Sequence, residues 1–343
     1  MWEDIENMDN RKVQQLGSST LAISLPAEWT KANQLKKGDN VSLQTESPEE
    51  LTVITNQYNG NSTNNKSIIE VDKINKFGLR RTVIAHYVLG RHEIEIVSKD
   101  GLTVDQIDKI QSLEGQLMGV GIIEHTNKSL TVRCSVDVAD FSVGSLIKKL
   151  GDTGAVMREE AIKSIQYGNV QLAEKAIRRE KQANKIFILL LRVIFTSHQN
   201  SHHLRSVNVP NKLSLIGYHS VAKNLELTAD NAEDIAKISI EINESNIEIP
   251  KSIIKKIINI ENQANELSKL GVEAVITRDF NLYLECHELF REIRNAEQTI
   301  YKDLGQMNDK NMLRIYRIWS SLFHTSEYAI QNAEIATNLS FFD

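Results

Sequence analysis

From Phe141 to Leu339 apolar side chains recur at three- and four-residue spacing almost without a break, and this constrains the fold more than any other feature. Residues three and four apart share one face of an α-helix, so the spacing predicts long amphipathic helices that each bury one stripe. Leu146, Ile147, Leu150, Met157, Ala161 and Ile165 mark the first helix. Ala173, Ala176, Ile177, Ala183, Phe187, Leu190 and Ile194 mark the second. After a polar loop from His198 to Pro210, a third carries Ile216, Val221, Leu225, Ala229, Ala232, Ile235 and Ala236. Glu244 to Pro250 interrupts the pattern, and Pro250 suits a helix start, where its missing N–H is not needed. More helices follow near 251–276, 279–304 and 309–338. Three long helices followed by three again is an architectural duplication. It predicts two tandem antiparallel three-helix bundles, over 141–244 and 250–339.

The first 140 residues read differently. Residues 56–71 open on a polar, aperiodic run, Asn56 to Lys66, and are expected to form a linker. Over 72–138 a small α/β connector is expected. Ile74, Phe77, Ile84, Tyr87 and Val88 fit a helix that Gly90 can close, and Lys73, Lys76, Arg80 and Arg81 lie along its basic side. That side is either a solvated face or an extra phosphate contact. Glu93 to Val97 alternates as a strand. Thr103 and Gln106 have capping-box spacing, opening a helix with Ile107, Ile110, Leu113 and Leu117 inward. A hairpin around Asn127-Lys128 completes the module.

Residues 8–55 carry short β signals. Val13 to Leu16 can form a strand, Gly17-Ser18-Ser19 a turn, and Leu21, Ile23 and Leu25 alternate with small residues. Pro26 ends that strand and starts a short helix, Ala27 to Asn33, anchored by Trp29. Lys37-Gly38-Asp39 is a second turn before strands at Val41–Leu43 and Leu51–Ile54. An element this small cannot bury enough surface alone, so pairing with a second copy is expected. Arg11, Lys12, Lys31, Lys36 and Lys37 face only Glu28 and Asp39 within it, whereas Glu3, Asp4, Glu6 and Asp9 form an acidic arm upstream. The whole chain, at formal charge −5, is no wholesale nucleic-acid binder, but local charge is what meets phosphates.

The residues Arg11-Lys12-Val13, Leu16-Gly17, Pro26-Ala-Glu-Trp29 and Lys37-Gly38-Asp39 resemble the AbrB/SpoVT-type swapped-hairpin DNA-binding domain. That resemblance implies a homodimer of interleaved hairpins with a basic face on DNA. By position Arg11 corresponds to a DNA-contacting arginine, and Lys31 falls where the family often carries a basic residue. Ser18 and Ser19 stand where some members have arginine, which implies fewer phosphate contacts. A hairpin used only to dimerise is the alternative.

Glu226 and Asp230 are four apart on the third long helix, so their carboxylates project from one face and repel unless a cation lies between them. His219 falls near the same face. The segment Glu226 to Ala236, an acid-x-x-x-Asp motif followed by small apolar residues, resembles the PhoU family of phosphate-uptake regulators, as does the helix order from Phe141 to Leu339. The resemblance implies iron or zinc on the bundle surface, with Glu180, Asn184, Glu226 and Asp230 as the first-bundle ligand set. Equivalent positions are eroded: Asn184 replaces a carboxylate, Glu292 has only Ala296 beyond it with Glu297 adjacent, and Glu327 is paired with His324. The other reading is a solvated helix face. His202-His203 has no companions to complete a ligand set, and Trp319, Tyr316 and Phe323 read as core or interface.

No phosphate-cradling Gly-rich loop, nucleophile elbow or zinc-protease helix occurs, so no enzyme reading has support. Cys134 and Cys286 read as buried thiols, and the longest apolar run, Ile186–Leu191, is too short to span a bilayer. Together these features predict a mainly α, cytoplasmic, dimeric regulator of phosphate uptake that binds DNA. The alternative is an adaptor docking on a phosphate ABC transporter ATPase or a sensor kinase.

Overall fold

The computed structural model describes residues 10–47, 49–55, 66–75, 78–200, 203–245, 247–304 and 309–341. The acidic arm Glu3 to Asp9, residues 56–65, Lys76, Phe77 and His202 lie outside them. The chain divides into two compact units, 1–65 and 66–343.

In the first unit β1 (Gln14–Leu16) and β2 (Thr20–Ala22) form an antiparallel hairpin in which Gln15 faces Leu21. Gly17 turns it with φ +72, a left-handed conformation that glycine adopts without penalty. Pro26 then precedes α1 (Ala27–Ala32) at the N-cap position. Gly38, at φ +99, turns the chain into a second hairpin, β3 (Val41–Ser47) with β4 (Glu50–Thr55). The backbone N–H of Lys36 donates to the Asp39 carboxylate (2.7 Å) and closes that turn.

The second unit starts with a four-stranded sheet of order β5-β6-β8-β7. β5 (Lys66–Glu70) runs parallel to β6 (Glu93–Val97) through the crossover helix α2 (Gly78–Val88). This corrects the expected linker over 56–71: Lys66–Glu70 is a strand, and Ile69 is a core residue. Two adjacent β-branched residues, Ile68 and Ile69, suffice once β6 supplies the ladder partners. α3 (Val104–Gln111) opens on the expected capping box of Thr103 and Gln106. β7 (Val120–His125) and β8 (Ser129–Cys134) form the expected hairpin. Of the basic residues near α2, Lys73 pairs with Glu70 (2.8 Å) and Arg80 Nε donates to Gln116 Oε1 (3.0 Å), so both are engaged locally.

The helical body comprises α4 (Val143–Tyr167), α5 (Val170–Gln199), a single turn α6 (His203–Ser206), α7 (Lys212–Glu244), α8 (Lys251–Thr277), α9 (Phe280–Leu304) and α10 (Asp309–Ser340). Ser142, Asn169 and Asn211 cap α4, α5 and α7 through side-chain oxygens that accept orphan backbone N–H groups. Gly168, left-handed at φ +64, ends α4 and lets α5 reverse. α4, α5 and α7 pack together, as do α8, α9 and α10, but α7 also lies along α10 and α4 along α8. One apolar core therefore runs from Leu146 and Leu150 through Leu225 to Ile257 and Trp319, with a smaller cluster of Leu267, Cys286, Ile293 and Ile330 under α9. Gly271 marks a close approach of α8 and α10, since a Cβ there would stand 2.6 Å from the carbonyl oxygen of Ala329.

The expected polar loop His198–Pro210 is more ordered than its composition suggests. It holds α6, and Val207 and Val209 are buried. The N–H of Val143 donates to the Val207 carbonyl (3.0 Å), tying this loop to the first turn of α4. The connector is also tied to the body. Arg192 of α5 is buried, donates to the carbonyls of Tyr87 in the last turn of α2 and of Gly90 and Arg91 just beyond it, and lies 4.8 Å from the Tyr87 ring centroid. A cation at the C-terminal end of a helix opposes its negative dipole end and satisfies otherwise orphaned carbonyls.

Candidate functional site

Lys31 lies in the last turn of α1, Lys36 and Lys37 in the turn that follows it, and Arg11 and Lys12 just before β1. All five are exposed. Glu28, also exposed, lies in the first turn of α1, and Asp39 is occupied by the Lys36 N–H. The apolar side chains of the same unit are unusually open: Val13 is 61% and Leu21 70% exposed, and Leu16, Ile23, Leu43 and Leu51 are each more than half exposed. Among the described side chains of this unit, Thr55 alone is buried. Full burial of an aliphatic side chain is worth about 1.5–3 kcal/mol, and each of these six forgoes roughly half or more of that, which together drives association.

Glu180 and Asn184 on α5, and Glu226 and Asp230 on α7, are within electrostatic reach of one another. The Asn184 amide donates to Glu180 (3.3 Å). Glu233 belongs to the same group: it faces Glu180 and Asp230, extending the spacing 226–230 by three residues. Partial burial, with the Glu226 charge next, pushes the Asp230 carboxyl up to about 6. Burial and the Glu233 charge also raise Glu180. Lysines of the same helix already meet two of the acids: Lys223 contacts Glu226, and Lys237 lies 2.7 Å from Glu233. Among the described residues no three His, Cys, Asp or Glu side chains converge to hold a metal ion. Iron and zinc need several nitrogen, oxygen or sulfur donors at about 2.0–2.3 Å, so this arrangement does not fit either ion. It is instead an acidic stripe in which the Asp230 carboxyl is held above its ordinary range.

His219 does not join these acids. It meets the Phe195 ring edge-on (5.8 Å between centroids) and lines an apolar recess with His198. Two helical turns place it near the Glu226 face on paper, but it packs against Phe195 of α5. Glu292 and His324 are exposed, and His203 is half-buried on α6. Trp319 is core and stacks on Phe323, whereas Tyr316 is exposed. Cys134 and Cys286 are buried free thiols, and burial pushes Cys286 up to about 12. No helix among the described residues is long and apolar enough to cross a membrane.

Residues 14–60 match the MazE family, described as antidote-toxin recognition MazE, bacterial antitoxin. Residues 147–239, which span α4, α5 and most of α7, match the PhoU domain. Comparison with curated proteins gives no match. Among solved structures, PhoU from Pseudomonas aeruginosa aligns with a TM-score of 0.50 at 18% identity, covering 57% of this chain and 94% of its own. The fold of the helical body is thus that of the PhoU structure. The chain carries a MazE/AbrB-like domain at its N-terminus and a PhoU domain within a PhoU-like bundle.

Proposed function

We propose that this chain is a dimeric, DNA-binding regulator of phosphate uptake that acts in the cytoplasm and catalyses no reaction. The observation that carries the reading is the N-terminal unit. Five exposed cations stand on a two-hairpin element whose own residues leave six large apolar side chains in water. A second copy would bury those side chains and double the cationic face, which is the arrangement that phosphate recognition needs. The PhoU-like body would be the sensing or docking module that conditions DNA binding. Anisotropy titrations of the full chain on DNA from upstream of phosphate-transport genes test this. Saturable binding that outcompetes random DNA supports it, and equal affinity for both sequences sinks the regulator reading.

A second reading has its own observation. Phe195 and Ile216 are exposed around a recess of about 280 Å³ on α5 and α7. An apolar surface of this kind suits a protein partner. In that reading the bundles dock on a phosphate transporter's ATPase subunit or on a sensor kinase, and the hairpins only dimerise. Co-purification with the transporter ATPase, lost on Ile216→Asp, without sequence-selective DNA binding, favours the adaptor.

A further inference from the structure

At one corner of the helical body, away from the acidic stripe, a cavity of about 930 Å³ opens between the start of α4, the loop after α6 and the end of α8. Three cationic side chains line it: Lys148 from the second turn of α4, Arg205 from α6 and Arg278 from the C-cap of α8. No Asp or Glu does. In a chain with more acidic than basic residues, three cations and, among the described residues, no carboxylate around one recess is a local excess of positive charge.

The cations are placed by backbone devices. Asn208 is left-handed at φ +58, and the Val209 N–H donates to the Leu204 carbonyl (2.8 Å), which folds the loop tightly beside α4. Arg278 is left-handed at φ +57, and its guanidinium donates to the Tyr218 hydroxyl (3.1 Å) on α7. Lys148 and Arg205 make no ion pair with a carboxylate among the described residues. Hydroxyls of Ser142 and Ser145 add donors. One wall is apolar, made by Val209, Pro210 and Ile276. The cavity is at the upper end of the range that holds drug-sized ligands, about 300–1,000 Å³, and far larger than one phosphate ion requires.

We propose that this cavity binds a phosphate-bearing small molecule of nucleotide size, with its phosphoryl oxygens on Lys148, Arg205 and Arg278 and its organic part against the Val209–Pro210–Ile276 wall. Such a ligand relieves the repulsion between Lys148 and Arg205 and supplies acceptors to both. It would bridge α4 and α8, which belong to the two helical repeats, so its occupancy would report on how the repeats are held together. The inference is independent of DNA binding, and its test contains no DNA.

The test is calorimetric titration of the full chain with ATP, and separately with pyrophosphate, at low ionic strength. ATP should bind saturably, and more tightly than pyrophosphate because of the apolar wall. Lys148→Ala with Arg205→Ala should weaken ATP by roughly tenfold or more, while Lys149→Ala, a neighbouring cation outside the cavity, leaves it unchanged. Circular dichroism checks that the variants remain helical. Absence of saturable ATP binding, or equal affinity in the double variant, overturns the proposal. Pyrophosphate binding as tightly as ATP overturns its nucleotide-sized part.

Discussion

The Arg158 guanidinium on α4 lies 3.3 Å from the Glu261 carboxylate on α8, and both side chains are withdrawn from water. The pair joins the two helical repeats through the centre of the body. Arg158 also donates to the Asn265 side chain (3.4 Å). Burial pushes the Glu261 carboxyl above its ordinary range, with Arg158 opposing the shift. At this site desolvation outweighs the attraction.

Breaking such a pair leaves a lone buried charge. Arg158→Ala should cost about 3–5 kcal/mol in urea denaturation, whereas Arg158→Met combined with Glu261→Leu should cost clearly less than the single change. A double variant as unstable as the single would show that packing volume, not charge, is what matters at this position.

Leu21 is 70% exposed within its own unit, so in a dimer it is a contact residue rather than a core residue. Leu21→Asp should convert a sedimenting dimer to a monomer at low micromolar concentration, with the helical signal of the body retained. A variant that still sediments as a dimer would place the dimer contact elsewhere.

Arg11 and Lys31 are surface cations, so their contribution to DNA affinity should be electrostatic. The logarithm of affinity should fall linearly with the logarithm of salt, and Arg11→Ala with Lys31→Ala should reduce the slope by about 2, at roughly 0.9 per phosphate contact. An unchanged slope in the double variant would remove both residues from the interface.

Asp230 gives a pH signature. Its carboxyl is raised from 3.8 to about 6 by burial first and by Glu226 next. In the unfolded chain the group ionises near its ordinary value, so between these two pH values the unfolded state loses its proton while the folded state keeps it. Stability from this group is therefore full below about 4 and lost as pH rises through about 6. Asp230→Asn should raise the melting temperature at pH 8 and leave it nearly unchanged at pH 4. Solvent around Asp230 screens the effect to about 1 kcal/mol or less. Equal melting shifts at both pH values would contradict the assignment.

Much of the fold was legible because its signals are local. The apolar spacing from Phe141 onward placed the long helices, and Thr103 with Gln106 announced a capping box that forms as expected. β5 was not legible: Ile68 and Ile69 are too short a run to declare a strand until β6 lies beside them. Val207 and Val209 likewise looked like loop residues, and only the packing of α4 over them makes them core. In the acidic stripe, the 226–230 spacing pointed to one face of α7. Lys223 and Lys237, at three and four residues from Glu226 and Glu233, were readable in the same way as the charges that compensate it.

The sequence by itself determined which residues share a helix face, where helices start and stop, and that the N-terminal hairpins carry more apolar surface than they can bury. These follow from the helical period, caps and turns, which act within a few residues. Only the tertiary structure decided which faces meet. Arg158 and Glu261 are 103 positions apart, and Lys148, Arg205 and Arg278 come from separate elements. No local rule pairs such residues. Their encounter is set by helix packing over a shared core, where the shape of the whole apolar surface, rather than any one segment, selects the neighbours.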